Sequence, residues 1–259
     1  QRLVPNVDAA QLLNQALELN KFQVVSDRLG EIITMDRYQA ILMTYYRNNI
    51  IHLFALPSLV ATLIERQEGL DLPTLQAQCR QLYPLLRREL FLRYQLEELD
   101  GVVSAIARTL VELELVEVRQ EGYWVRPTEQ MRLLLLAQST QETLQRYAIT
   151  LNQIRLHPAI TLSQLASDSQ MMAVRLGMLH GIHAPEFSDQ SLFSVLLETL
   201  QQEGYLQAGG PEEAIHPEPE ALATLTALLL PLLPDRIRRT IAVVEPEAQA
   251  PRARAEAVS

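Results

Sequence analysis

Apolar residues recur at helical spacing soon after the chain begins. Leu12, Leu13, Ala16, Leu17 and Leu19 lie on one stripe, which predicts a helix over roughly 8–20 with Asp8 as its N-cap. The pattern then switches: "FQVVSDRLGEIITM" places β-branched residues on both sides of Asp27-Arg28-Leu29-Gly30, the chemistry of a hairpin. Asp36 with Gln39 three residues on resembles a capping box and opens a long helix that Pro57 should end or kink. A second long helix follows Asp71 and Pro73 and is expected to reach Tyr94, kinked at Pro84. From Glu98 a helix leads into two short strands around Glu121-Gly122, closed by Pro127. Thr128 starts a helical region that runs to Pro158. "LSQLASDSQMMAVRLGMLHG" reads as a helix stopped by Gly181, and Ser188 opens another that ends at Glu203 with Gly204 in the C′ position. Residues 218–244 are helical with proline interruptions.

Three segments, "ALELNKFQVV", "LVELELVEV" and "LQQEGYLQA", each run an amphipathic helix into a short strand. In the first two a hairpin follows, which is the helix-to-hairpin arrangement of a winged-helix unit. The fold class is therefore mainly α, a multi-helix domain with small β-hairpins. The expected organisation is a helical subdomain with two hairpins over 1–127 and a second helical subdomain over 128–244. The Pro/Ala/charge-rich tail 245–259 is expected to be disordered.

Bulk properties narrow the function. The 259 residues are 48% hydrophobic and 20% charged, a globular composition. A net charge of −9 disfavours a nucleic-acid partner, because phosphate binding needs Lys and Arg in excess. The single cysteine, Cys79, excludes an internal disulfide and a Cys-based metal cluster. Neither apolar window, 50–64 or 222–233, reads as a membrane span, since His52 and Pro57 interrupt the first and Pro231 and Pro234 the second. No signal peptide opens the chain, which starts at Gln1 and reads like the middle of a longer protein.

Candidate chemistry is sparse. His180 and His183 are close but lack the further ligands a metal needs, and Cys79 has no histidine nearby in sequence. No Gly-rich phosphate loop is present, Gly209-Gly210-Pro211 lacking the lysine. The sequence implies no metal and no cofactor.

The richest polar constellation is in "YYRNNIIHLFALPSL". Thr44, Asn48 and His52 fall at i, i+4 and i+8, flanked by Arg47 and Asn49, on a helix otherwise apolar nearly all round. Such a helix is expected to be buried. Arg47, Asn48, Asn49 and His52 then form a buried polar brace, with Glu89 or Glu112 as the carboxylate for Arg47. The alternative is that Arg47 and His52 line a pocket for a phosphorylated ligand. Two basic-apolar mixtures are candidate contacts with an anionic membrane surface: Arg87, Arg88 and Arg93 around Leu90, Phe91 and Leu92, and Arg236, Arg238 and Arg239 after a leucine-rich run. Ordinary amphipathic helices carry the same mixture.

Four strings, "YYRNNIIHLFALPSL", "LYPLLRRELFLRY", "ETLQRYAI" and "LHGIHAPEFSDQSLFS", together resemble the C-terminal region of the bacterial membrane-associated glycerol-3-phosphate acyltransferases (PlsB type). The resemblance is ordered from about Asp36 to Tyr205 and looser outside it. It implies a peripheral enzyme at the cytoplasmic face of the inner membrane, which moves a fatty acyl group from acyl-CoA or acyl carrier protein to the sn-1 hydroxyl of glycerol 3-phosphate in phospholipid synthesis. The family's His-x-x-x-x-Asp and Glu-Gly-x-Arg blocks are absent here: Pro57, Leu162, Pro185, Ser188 and Ala221 stand five residues after the histidines. No catalytic residue can be carried onto this chain. The resemblance thus implies an accessory region, inactive alone, whose main partner is an upstream catalytic domain. A stand-alone interaction module is the alternative, and a winged-helix nucleic-acid binder the least favoured one.

Overall fold

The structure, a computed structural model, describes residues 8–28, 30–207, 209–210 and 212–243. It is mainly α. The helices are α1 (Ala9–Glu18), α2 (Arg37–Arg66), α3 (Leu72–Glu89), α4 (Leu96–Glu112) and α5 (Gln130–Ala137), followed by α6 (Gln141–Leu156), α7 (Leu162–His180), α8 (Gln190–Gln202), α9 (Pro219–Leu229) and α10 (Asp235–Val243). Strands β1 (Gln23–Asp27) and β2 (Gly30–Thr34) form an antiparallel pair, and β3 (Leu70–Asp71), β4 (Val116–Arg119) and β5 (Gly122–Val125) form a sheet in the order β3-β5-β4. The tail 245–259 lies outside the described residues.

Two compact units meet between Ile50 and Ile51. A division near residue 127 is not where the chain separates, because side chains tie its two sides together. Ser58 on α2 donates to the Ala137 carbonyl at 3.0 Å and is 2.9 Å from the Thr140 hydroxyl. Glu89 on α3 pairs with Arg146 on α6.

The first unit holds α1, the β1–β2 hairpin and α2 as far as Ile50. Asp36 caps α2 by accepting from the Gln39 N–H at 2.8 Å. Val24 pairs with Ile33 and Val25 with Ile32. Among the described residues up to Ile50, no side chain is buried.

The second unit is organised around α6, in which thirteen of the fourteen residues from Gln141 to Ile154, all but Glu142, are buried. α7, α8, α9 and α10 all pack on it. A helix buried on every side must pair its own polar groups. Gln141 donates to the Leu232 carbonyl at 3.2 Å and Asn152 to that of Ile241 at 3.0 Å, so the polar residues of α6 hold the last two helices in place. Thr150 returns a hydrogen bond to the Arg146 carbonyl at 3.1 Å.

Neither internal proline ends its helix. Pro57 sits inside α2 and Pro84 inside α3. Each removes the donor for a carbonyl four residues earlier. Those carbonyls belong to Leu53 and Arg80, which are exposed residues. The expected interruption at Pro57 is therefore corrected, and with it the expectation that no apolar segment is long enough to span a bilayer. From Tyr38 to Arg66 the helix is 29 residues long and apolar enough by length and composition, although half of its most apolar window is buried in the fold, as in a core helix. α3 ends at Glu89 rather than near Tyr94: Leu92 N–H bonds the Arg87 carbonyl at 3.0 Å and Phe91 takes the left-handed conformation at φ +53°.

β3, α3, α4 and the β4–β5 hairpin make the helix-to-hairpin arrangement seen in the sequence. Asp71 caps α3 through the Thr74 N–H at 2.8 Å, and Gln95 with Glu98 forms a reciprocal capping box on α4. The sheet closes where two glycines touch: Gly69 N–H bonds the Tyr123 carbonyl at 3.1 Å, and a Cβ on Gly122 would lie 2.4 Å from the Gly69 oxygen. After α8, among the described residues, the chain makes two isolated bridges rather than a strand pair, Leu206 with Pro217 and Ala214 with Thr161.

Candidate functional site

The four residues expected to form a buried brace are on the surface. Arg47, Asn48, Asn49 and His52 are all exposed, and Arg47 donates through Nε and Nη2 to the side-chain Oδ1 of neighbouring Asn48 at 3.3 Å. Burial was inferred from an apolar helix wheel, but the apolar residues of this segment are uncovered too: Tyr45 is 64% and Leu53 53% exposed. Only from Ala55 onward does α2 enter the core. Of the two carboxylates expected for Arg47, Glu89 is taken by another arginine and Glu112 is exposed.

That other arginine, Arg146, forms the buried polar constellation. α3 presents Glu89 at its last turn, and α6 presents Thr143, Arg146 and Tyr147 on successive positions of one face. Arg146 Nη2 donates to Glu89 Oε1 and to the Thr143 hydroxyl at 3.1 Å. Thr143 in turn donates to Glu89 Oε1 at 3.4 Å. The Tyr147 hydroxyl donates to the Leu85 carbonyl at 3.0 Å. Its burial, reinforced by the Glu89 charge, holds that hydroxyl well above the usual tyrosine range, so it stays protonated. The pair is sealed, with both side chains 3% exposed, and nothing in it can reach a substrate. Its chemistry is structural. The sequence around it, "ETLQRYAI", mixes polar and apolar residues on every side and does not by itself announce burial.

The two basic clusters are distributed rather than gathered. Arg88 is paired with Glu198 and Arg238 with Asp235, while Arg87 donates to Gln95 at 2.7 Å. Arg93 lies over the Tyr94 ring at 4.7 Å and donates to its hydroxyl at 2.6 Å. Arg93, Arg236 and Arg239 are exposed. Of the three apolar residues among the first cluster, Leu92 is buried, Leu90 is half-buried and Phe91 is 88% exposed.

The histidines and the cysteine are not assembled into a centre. His180 Nε2 bonds the Thr240 hydroxyl at 2.9 Å, joining α7 to α10. His183 lines a shallow cleft of about 200 Å³ with Val174, Met178, Ile182 and Phe187, a lining suited to an apolar group rather than to acid–base chemistry. Among the described residues no group of three or more His, Cys, Asp or Glu is arranged to hold a metal. Burial, and secondarily the charge of Asp100, pushes the Cys79 thiol up, far from thiolate reactivity.

Comparison with known proteins converges on one family. Residues 2–209 match the family described as the glycerol-3-phosphate acyltransferase C-terminal region. A glycerol-3-phosphate acyltransferase from Aeromonas hydrophila subsp. hydrophila is 55% identical over 238 residues, covering 92% of this chain and 29% of the relative. The chain thus spans less than a third of the length of that curated relative. No solved structure matches.

Proposed function

The chain belongs to the family of glycerol-3-phosphate acyltransferase C-terminal regions, and on that premise we propose that it is the non-catalytic accessory region of an enzyme that acylates glycerol 3-phosphate. The reaction would be transfer of a fatty acyl group from acyl-CoA or acyl carrier protein to the sn-1 hydroxyl, a step of phospholipid synthesis. It would take place on the cytoplasmic face of the bacterial inner membrane, with the enzyme held peripherally and the exposed Arg93, Arg236 and Arg239 available to anionic headgroups. The observation that carries the accessory role is the distribution of polar side chains. The buried charged cluster around Glu89 and Arg146 is closed to solvent, and the histidines among the described residues are spread over separate elements. Nucleic acid is not the partner in this reading. α4, which occupies the second-helix position of the helix-to-hairpin unit, exposes Glu97, Glu98 and Glu112 beside Arg108.

The test is acyl transfer to glycerol 3-phosphate by the purified chain, from both acyl-CoA and acyl-carrier-protein donors, set against a full-length acyltransferase carrying the region. The chain alone should show none. Turnover by the chain alone would overturn the accessory role.

A further inference from the structure

The β1–β2 hairpin carries apolar side chains that the described residues leave exposed. Consecutive strand residues point to opposite faces, so the Val24–Ile33 pair lies on one face and the Val25–Ile32 pair on the other. All four side chains are exposed, by 39% to 49%. A hairpin resting on a core from one side would alternate apolar-in and polar-out; apolar pairs on both faces belong to strands inside a sheet that is covered above and below. Among the described residues the ribbon has only two strands and no further strand pairs with either long edge, and such a ribbon is marginal by itself. The helix that follows continues the apolar surface, with Tyr38 at 67% and Tyr45 at 64% exposed.

The occupant must therefore supply hydrogen-bonding strand edges as well as apolar cover. Lipid cannot, since hydrocarbon leaves edge N–H and C=O groups unsatisfied. The Aeromonas relative has more than two thirds of its length outside the region this chain matches, enough for a large domain with its own sheet. We propose that the β1–β2 hairpin joins the edge of a helix-covered β-sheet in the part of the acyltransferase outside this region, with the exposed faces of α1 and of α2 up to Ile50 packing beside it. This inference rests on the accessory reading above.

Hydrogen–deuterium exchange followed by mass spectrometry tests it, in a full-length acyltransferase carrying this region and in the 259-residue chain alone. Amides of residues 23–34 should exchange at least about tenfold more slowly in the full-length enzyme, while those of α6 are protected in both and report that the second unit is folded. Fast exchange at 23–34 in an active full-length enzyme overturns the proposal and leaves the accessory role standing. Protection in the chain alone that grows with protein concentration points to a second copy as the occupant and also overturns it. So does protection of the chain alone that appears only with anionic phosphatidylglycerol vesicles. Failure of the accessory reading shows elsewhere, as acyl transfer by the chain alone.

Discussion

Arg146 on α6 and Glu89 on α3 form an ion pair in which each side chain is only 3% exposed. Among the described residues, Arg146 Nε and Nη1 and Glu89 Oε2 find no hydrogen-bond partner, so the pair is incompletely satisfied. Desolvating two charges costs several kcal/mol each, and a half-satisfied pair returns that cost poorly. The pair is better understood as a register device, fixing which turn of α6 meets the end of α3, than as a source of stability.

Removing one member should therefore cost more than removing both. Glu89→Leu or Arg146→Met alone leaves a buried unpaired charge and should destabilise by about 3–5 kcal/mol. The double variant should recover most of that loss, because apolar groups of similar size fill the same space. Urea denaturation of the four proteins in the cycle measures the coupling. Simple addition of the two losses in the double variant would show that the residues do not act as a pair. Arg47→Ala, on the exposed part of α2, should change stability by no more than about 0.5 kcal/mol.

Gly122 is where β5 crosses Gly69, and the contact tolerates no side chain: a Cβ there would sit 2.4 Å from the Gly69 oxygen and 2.9 Å from its Cα. Backbone cannot retreat as a flexible side chain can. Gly122→Ala should cost about 1–3 kcal/mol. It should also change the emission of Trp124, the only tryptophan, which lies over Gly69. Gly101 is the control, an exposed position inside α4 with open space around it. There alanine should stabilise by about 0.5–1 kcal/mol through helix propensity alone. Equal effects at the two positions in thermal melts would remove the steric argument.

The sequence made the helices and hairpins legible because their periodicity is local. The stripe at Leu12–Leu19, the hairpin around Asp27, the caps at Asp36 and Asp71 and the stop at Gly181 all depend on residues a few positions apart. Burial was not legible, since it depends on which helix the others choose to surround. Arg47 and Arg146 both sit in apolar helical sequence with asparagine or glutamine close by, and the periodicity does not separate them. The structure encloses α6 and leaves the first half of α2 outside. For a related reason, Pro57 does not end its helix. A proline is tolerated where the residue whose carbonyl it orphans is exposed, and that exposure is a tertiary property. The Glu89–Arg146 pair, 57 residues apart in the chain, had no local signature at all.

Cys79 provides a pH signature of the packed interior. Its side chain is fully buried on α3, and burial followed by the nearby Asp100 charge raises its pKa above the ordinary thiol value. The unfolded thiol titrates near 8.5. A group whose folded pKa is raised contributes stability that is complete below the unfolded pKa and is lost as pH climbs from there toward the folded value. The chain should therefore lose stability above pH of about 8.5, with Cys79 adding up to about 1.4 kcal/mol per pH unit. Tyr147, raised in the same direction, should join above about pH 10. Cys79→Ala should be less stable than the parent at pH 7 because it opens a small cavity, and the gap should narrow as the pH is raised to 10. Guanidinium titrations at half-unit steps follow the gap directly. A gap that stays constant from pH 7 to 10 would mean the folded thiol ionises as readily as the unfolded one, and that the interior between α3 and its neighbours admits water.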